Sequence, residues 1–131
     1  MDGGIMLAVL RIVSGLLFLE HGTQKFLGFP DGPMAGMGRA LNSWPAYAGI
    51  IELVCGLLIV IGLFTRPAAF IASGMTAVAY WFWHAPSNFF PINNGGETAI
   101  LYCFIFLYLV FAGAGPLSVD AARARPRPPE N

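Results

Sequence analysis

The sequence predicts an all-α protein, an integral membrane four-helix bundle with four transmembrane helices. Three observations predict it. Of 131 residues, 56% are hydrophobic and 11% charged, with a mean hydropathy of +0.67, whereas soluble chains are about a quarter charged. The apolar residues gather into four runs, at 5–26, 44–64, 67–83 and 98–114, each near the roughly 20 residues that a helix needs to cross about 30 Å of hydrocarbon. None of the runs alternates with the period of a strand, and in lipid only helices and closed barrels satisfy every backbone polar group.

The first run starts behind an acidic n-region, carries Arg11 inside it and is followed by no A-x-A type site, so it is expected to stay as a helix rather than be cleaved as a signal peptide. A Gly/Pro-rich connection, "FPDGPMAGMGRALNSWP", leads to the second run, with Asn42 or Ser43 placed to cap it and Pro45 in its first turn. "FTRP" leaves room only for a tight hairpin before the third run. "HAPSNFFPINNGG" is a loop with turn formers at both ends, and Glu97 opens the fourth run. Residues 1–115 are thus one membrane domain, and 116–131 form a polar Pro/Arg-rich tail.

An even number of crossings places both termini on one side. Arg11, Arg66, Arg123, Arg125 and Arg127 fall there, against Lys25 and Arg39 on the other, so both termini are expected in the cytoplasm of a multi-pass protein of the bacterial plasma membrane. Seven basic residues balance seven acidic ones, which leaves no basic face for a nucleic acid. Cys55 and Cys103 lie inside apolar runs without metal-ligand spacing; neither a zinc site nor a disulfide is indicated, and no metal site is expected.

The polar residues of the outer half come from all four runs: Glu20, His21 and Lys25, then Glu52, then His84, then Glu97. Ionisable groups at membrane depth are costly and mark interiors or sites. Helical spacing puts Arg11, Ser14, Gly15, Phe18, Gly22 and Lys25 on one stripe, Gly49, Glu52 and Gly56 on another, Ser73, Ala77, Tyr80 and His84 on a third, and Glu97, Leu101, Phe104 and Tyr108 on a fourth, so these faces should meet. Glu20 lies on the opposite side of its helix. Glu97 reads either as an offset to the helix dipole or as a member of the buried network with Lys25 or His84. Glu52 has no cap to form and pairs with Lys25 or Arg11, or handles protons. Arg11 is expected to snorkel to the cytoplasmic surface or to be the counter-ion of Glu52. Tyr80, Trp81, Phe82 and Trp83 suit an interfacial belt.

Four pieces in order, "EHGTQKF" at 20–26, "GIIELVCGLLIVIGLFTRPAA" at 49–69, "NNGGETAILY" at 93–102 and "GAGPLSVD" at 113–120, resemble the DoxX family of small bacterial membrane proteins. The resemblance implies a four-helix membrane subunit and a link to quinone-dependent sulfur oxidation, in the membrane part of thiosulfate:quinone oxidoreductase. Its motif positions fall on His21, Gly22, Lys25, Glu52, Gly56, Gly62, Thr65, Arg66, Asn94, Gly95, Gly96, Glu97, Gly113, Gly115, Ser118 and Asp120. Where some relatives have a glycine pair after the helix-two glutamate, this chain reads Cys55-Gly56.

The expectation for the site is a quinone-type molecule in the outer half of the bundle. Glu52, His21, His84 and Glu97 would handle protons as catalytic residues, and Lys25, Tyr80, Trp81 and Tyr102 would bind the cofactor. No intrinsic cofactor is evident, and redox partner subunits would supply electrons. The alternative is a subunit that only anchors or assembles a larger membrane complex.

Overall fold

The computed structural model describes residues 2–124, and among them every regular element is a helix. Six α-helices follow in order: α1 Gly3–Leu27, α2 Trp44–Ile61, α3 Thr65–Ala79, α4 Pro91–Asn94, α5 Glu97–Ala112 and α6 Val119–Arg123. A π-helical turn, Tyr80–His84, continues α3, and 3₁₀ turns lie at Met37–Arg39 and Ala85–Ser87. The expected tail residues Arg125 and Arg127 lie outside the described residues.

The starts and stops follow from local chemistry. Asp2 caps α1 by accepting from Gly4 N–H at 2.9 Å, and Ser43 caps α2 by accepting from Ala46 N–H at 3.4 Å, with Pro45 in the first turn. Gly28 and Gly62 end α1 and α2 in the left-handed conformation, φ 69° and 70°, which glycine adopts without steric cost. Helix α3 begins two residues earlier than its apolar run, at Thr65, because its cap comes from far along the chain. Phe64 takes φ 48°, a conformation that costs of order 1–3 kcal/mol outside glycine. The Asp120 carboxylate offsets it, accepting from Phe64 N–H and Thr65 N–H, both at 2.9 Å.

Helix α1 packs along α2, α3 along α5, and α2 against α3, whereas α1 and α5 meet only briefly. The core is a ladder of small and aromatic residues: Ala8, Ala46, Ala69 and Ala72 beside Phe18, Ile59, Phe106 and Leu109, all within 1% of full burial. Small residues set the α1–α2 spacing. A Cβ at Gly22 would lie 2.8 Å from the Leu53 backbone nitrogen, and one at Gly56 would lie 2.9 Å from Leu19 Cα, so these backbones touch.

The outward faces are apolar. Val9, Val13, Leu16 and Leu17 of α1 are each more than 40% exposed, as are Ile50, Val54 and Leu57 of α2. Helices α1, 25 residues, and α2, 18 residues, are long and apolar enough to cross a membrane. Side chains of this kind, spread over whole helix faces, have no stable neighbour in water and are solvated by lipid.

Candidate functional site

The stripe read on α1 is the buried one: Ala8, Arg11, Ser14, Gly15, Phe18, Gly22 and Lys25. Glu52 is buried on the facing side of α2, 4% exposed. Because Gly22 and Gly49 let the backbones close up, the Lys25 side chain reaches across and its Nζ donates to Glu52 Oε1 at 2.5 Å. Neither charge would be tolerated alone at this depth; paired, they form a neutral, strongly dipolar floor.

Above that floor opens a cavity of about 630 Å³, within the usual range for small-molecule sites. Phe18, His21 and Lys25 of α1 line it, with Trp44, Ala48 and Glu52 of α2, Met75 and Thr76 of α3, and Thr98 and Tyr102 of α5. Trp83, His84 and Gly95 line it as well, and Met34 and Met37 come from the connection after α1. Trp44 and Trp83 stack at 6.1 Å and 30°. Tyr102 meets Phe18 and Phe106 at 5.5 Å and sits 5.8 Å from the His21 ring, edge on.

Both imidazoles are held by one nitrogen. His21 Nδ1 lies 2.8 Å from Leu17 O, and His84 Nδ1 lies 3.1 Å from Asn94 O. A carbonyl only accepts, so each Nδ1 carries hydrogen and each Nε2 is left as the exchangeable position. Asn94, 8% exposed, organises the loop beside His84. Its Oδ1 accepts from Gly96 N–H at 2.7 Å, and its Nδ2 donates to Tyr80 Oη at 3.2 Å and to Asn88 O at 3.1 Å.

Of the residues expected at the site, His21, Lys25, Glu52, His84 and Tyr102 line this one cavity. Three do not. Glu97 is exposed on the first turn of α5, where a carboxylate offsets the helix dipole, and it joins neither Lys25 nor His84; Leu101, Phe104 and Tyr108, expected on its inward stripe, are each more than half exposed, and the buried face of α5 is that of Tyr102, Phe106 and Leu109 instead. Trp81 is 68% exposed. Tyr80 stands behind the wall, stacked on His84 at 6.4 Å. The wall residues Met34, Met37, Trp44 and Met75 were not foreseen, because apolar side chains carry no signal that separates a cavity wall from a core. Asn94 had a signal, its place in the "NNGG" motif.

Four further motif positions, Gly62, Thr65, Arg66 and Asp120, build a knot with Arg11 at the opposite end of the molecule. Arg11 is fully buried and neither snorkels nor reaches Glu52; that expectation is corrected by its partners. Its Nε donates to Ile59 O at 3.0 Å, one Nη to Ala114 O and to Pro116 O, and the other to Leu117 O at 2.7 Å. Arg66 donates to Val110 O and Phe111 O at the end of α5, at 2.8 and 2.9 Å. The planar Arg11 guanidinium, with five donors in a fixed fork, reaches four spread carbonyls at once, more than the three donors of an ammonium at a single point can serve. Asp120 N–H donates to Gly62 O at 2.8 Å, so residues 114–120, expected in part as the start of a loose tail, are pinned beneath the helices. Burial pushes the Asp120 carboxyl up, but the N–H groups of Thr65 and Phe64 and the nearby Arg123 hold it below the usual carboxylate range.

Residues 6–85 match the model of the DoxX family. An uncharacterized protein of Haemophilus influenzae is 50% identical over 117 residues, covering 87% of each chain. The inner membrane protein YphA of Escherichia coli is 31% identical over 127 residues, 88% of this chain and 89% of its own. CatD of Bacillus subtilis, which bears the provisional name of an oxidoreductase, is 40% identical over 60 residues, 44% of each chain. No solved structure matches.

Proposed function

This chain belongs to the DoxX family of membrane proteins, and from that premise we propose that it is a quinone- or quinol-binding membrane subunit of a redox system. In this reading four helices cross the bilayer as a bundle. Helix α3 with its π turn runs from Thr65 to His84, 20 residues, roughly 30 Å at 1.5 Å per residue, and α5 is the shortest crossing at 16 residues. Asp2 and Ala124, the first and last described residues, lie at the Arg11 end of the molecule, which is cytoplasmic in this reading, and the cavity opens toward the outer side. Reporter fusions placing residue 124 outside the cell would overturn this orientation.

One observation carries the proposal: the paired Lys25 and Glu52 form the polar floor of an otherwise apolar, aromatic-walled cavity that two imidazoles also line. Reduction of a quinone takes up two electrons and two protons, so a site needs an orienting donor and groups with proton access. Lys25 Nζ has hydrogens left after its bond to Glu52 and donates one to a quinone oxygen. Glu52 passes protons, and the Nε2 atoms of His21 and His84 exchange them with the outer solution. Tyr102, Trp44 and Trp83 flank the ring, while Tyr80 holds His84 in place. Glu97 and Trp81 act outside the cavity. Electrons come from a partner protein. The 40% identity to CatD over 60 residues adds support of the same kind.

Trp44 and Trp83 make the test direct. A short-tailed quinone added to the purified protein in lipid nanodiscs should quench tryptophan fluorescence saturably at micromolar concentration. Lys25→Met/Glu52→Leu, which removes the pair as a whole, and His84→Ala should lose saturation while keeping the same melting temperature within a few degrees. Quenching that rises linearly, and equally in wild type and both variants, would replace this reading with that of an anchoring subunit. The latter is favoured by the apolar outer end, where Phe82, Phe89 and Ile92 are more than 70% exposed.

A further inference from the structure

We propose that the mouth of this cavity is a binding site for a soft monovalent metal ion, copper(I) in chemical class, held by the thioethers of Met34 and Met37 and by Nε2 of His21. The inference goes beyond the quinone reading and does not depend on it.

The two methionines are brought together by backbone geometry. Met37 N–H donates to Met34 O at 3.1 Å, and Gly36 takes φ 76°, ψ −2°, the values of the third residue of a type II turn, whose ends lie within about 7 Å. The turn is seated on the last turn of α1. Gly36 N–H donates to Gln24 O at 3.0 Å, and a Cβ at Gly38 would stand 3.2 Å from both Lys25 Cβ and the Lys25 carbonyl oxygen. His21 precedes Lys25 by four residues and shares its helix face. All three side chains line the same cavity, and thioether side chains are long and flexible enough to converge on an imidazole one helical turn below.

The imidazole is prepared for such a role. A histidine that binds a metal through one nitrogen donates the other N–H to a carbonyl or carboxylate, and His21 Nδ1 is bonded to Leu17 O at 2.8 Å. His84, bonded in the same manner to Asn94 O, lines the same cavity.

Charge selects the ion. The one carboxylate in the lining, Glu52, is committed to Lys25, so a divalent cation would enter an apolar cavity without compensation. Among the described residues no group of three or more His, Cys, Asp or Glu is placed to hold a metal, which removes the donor sets suited to zinc or to hard cations but not a thioether set. Neutral sulfur and imidazole ligands favour copper(I).

The test uses silver(I) as a redox-inert probe on the full-length protein in detergent, followed by copper(I) under anaerobic competition with a chromophoric chelator. One equivalent should bind, with sulfur and nitrogen neighbours in the X-ray absorption spectrum. Met34→Leu/Met37→Leu, which conserves volume, should lose that equivalent without a change in melting temperature, and His21→Phe should lose the nitrogen neighbour. Cys55→Ser/Cys103→Ser should bind as wild type does. The proposal is overturned if wild type binds no more silver than the double methionine variant, or if the cysteine variant is the one that loses it. Quinone quenching in the metal-free methionine variant reports on the other reading separately.

Discussion

Replacing Lys25 by methionine keeps the length and apolar stem of the side chain and removes the ammonium alone, so Glu52 loses the group 2.5 Å from its Oε1. Glu52 is 4% exposed, and Arg11 cannot replace the lost ammonium, since it is spent on the carbonyls of Ile59, Ala114, Pro116 and Leu117. Breaking a buried pair by deleting one partner costs about 3–5 kcal/mol. The penalty has a ceiling, because an orphaned carboxylate can take up a proton: holding a group of ordinary pKa about 4.3 neutral at pH 7 costs roughly 2.7 × 1.36, or 3.7, kcal/mol. The expected loss at pH 7 is therefore about 3–4 kcal/mol, declining by about 1.4 kcal/mol per unit as the pH falls toward 5. Lys25→Met/Glu52→Leu removes both charges and should recover most of the loss, the signature of a pair that is costly only when broken. Reversible unfolding in mixed micelles at pH 7 and pH 5 measures all four corners of the cycle. A Lys25→Met loss that is the same at both pH values, or a double variant no more stable than the single one, would refute the reasoning.

Three further outcomes follow from the geometry. Gly22→Ala pushes a methyl into the Leu53 backbone and should cost about 1–3 kcal/mol, while Gly74→Ala, whose Cβ meets nothing within 4 Å, should be neutral or gain up to about 1 kcal/mol of helix propensity; the same unfolding assay separates them. Arg11→Lys should free the carbonyls of residues 114–117 and raise amide hydrogen exchange from 113 to 120, with unchanged exchange in that segment counting against the clamp. Asp120 has its carboxyl held below the ordinary 3.8, so its stabilisation is fully present above that value and lost as pH falls through the lower folded value. The melting temperature of Asp120→Asn should accordingly lie below wild type at pH 6 and begin to converge on it only below pH 3.8, as the pH falls toward the lower folded value.

The sequence by itself determined the class of the protein, the extent of its long helices and the composition of the buried stripes of α1 and α2. Apolar run length and 3.6-residue spacing are local properties, so they read directly: the α1 stripe from Arg11 to Lys25 and the Ser43 cap of α2 are found where periodicity and turn chemistry put them. Motif resemblance added the family. What the tertiary structure alone decided is which partner each charge takes. Arg11 and Lys25 share one stripe of one helix, yet Lys25 meets Glu52 while Arg11 closes the far end of the molecule around residues 114–117. Helix spacing told their face but not their depth against α2, which depends on how Gly22 and Gly49 let the two backbones slide together. In the same way Glu97 heads its helix as expected but faces away from the cavity, because one residue's turn of about 100° at the start of α5 decides which of Glu97, Thr98 and Ala99 faces inward. The cavity itself was invisible to the sequence: it is the volume left where a methionine turn, a π-helical turn and four helix faces fail to fill space, and no local pattern encodes a space.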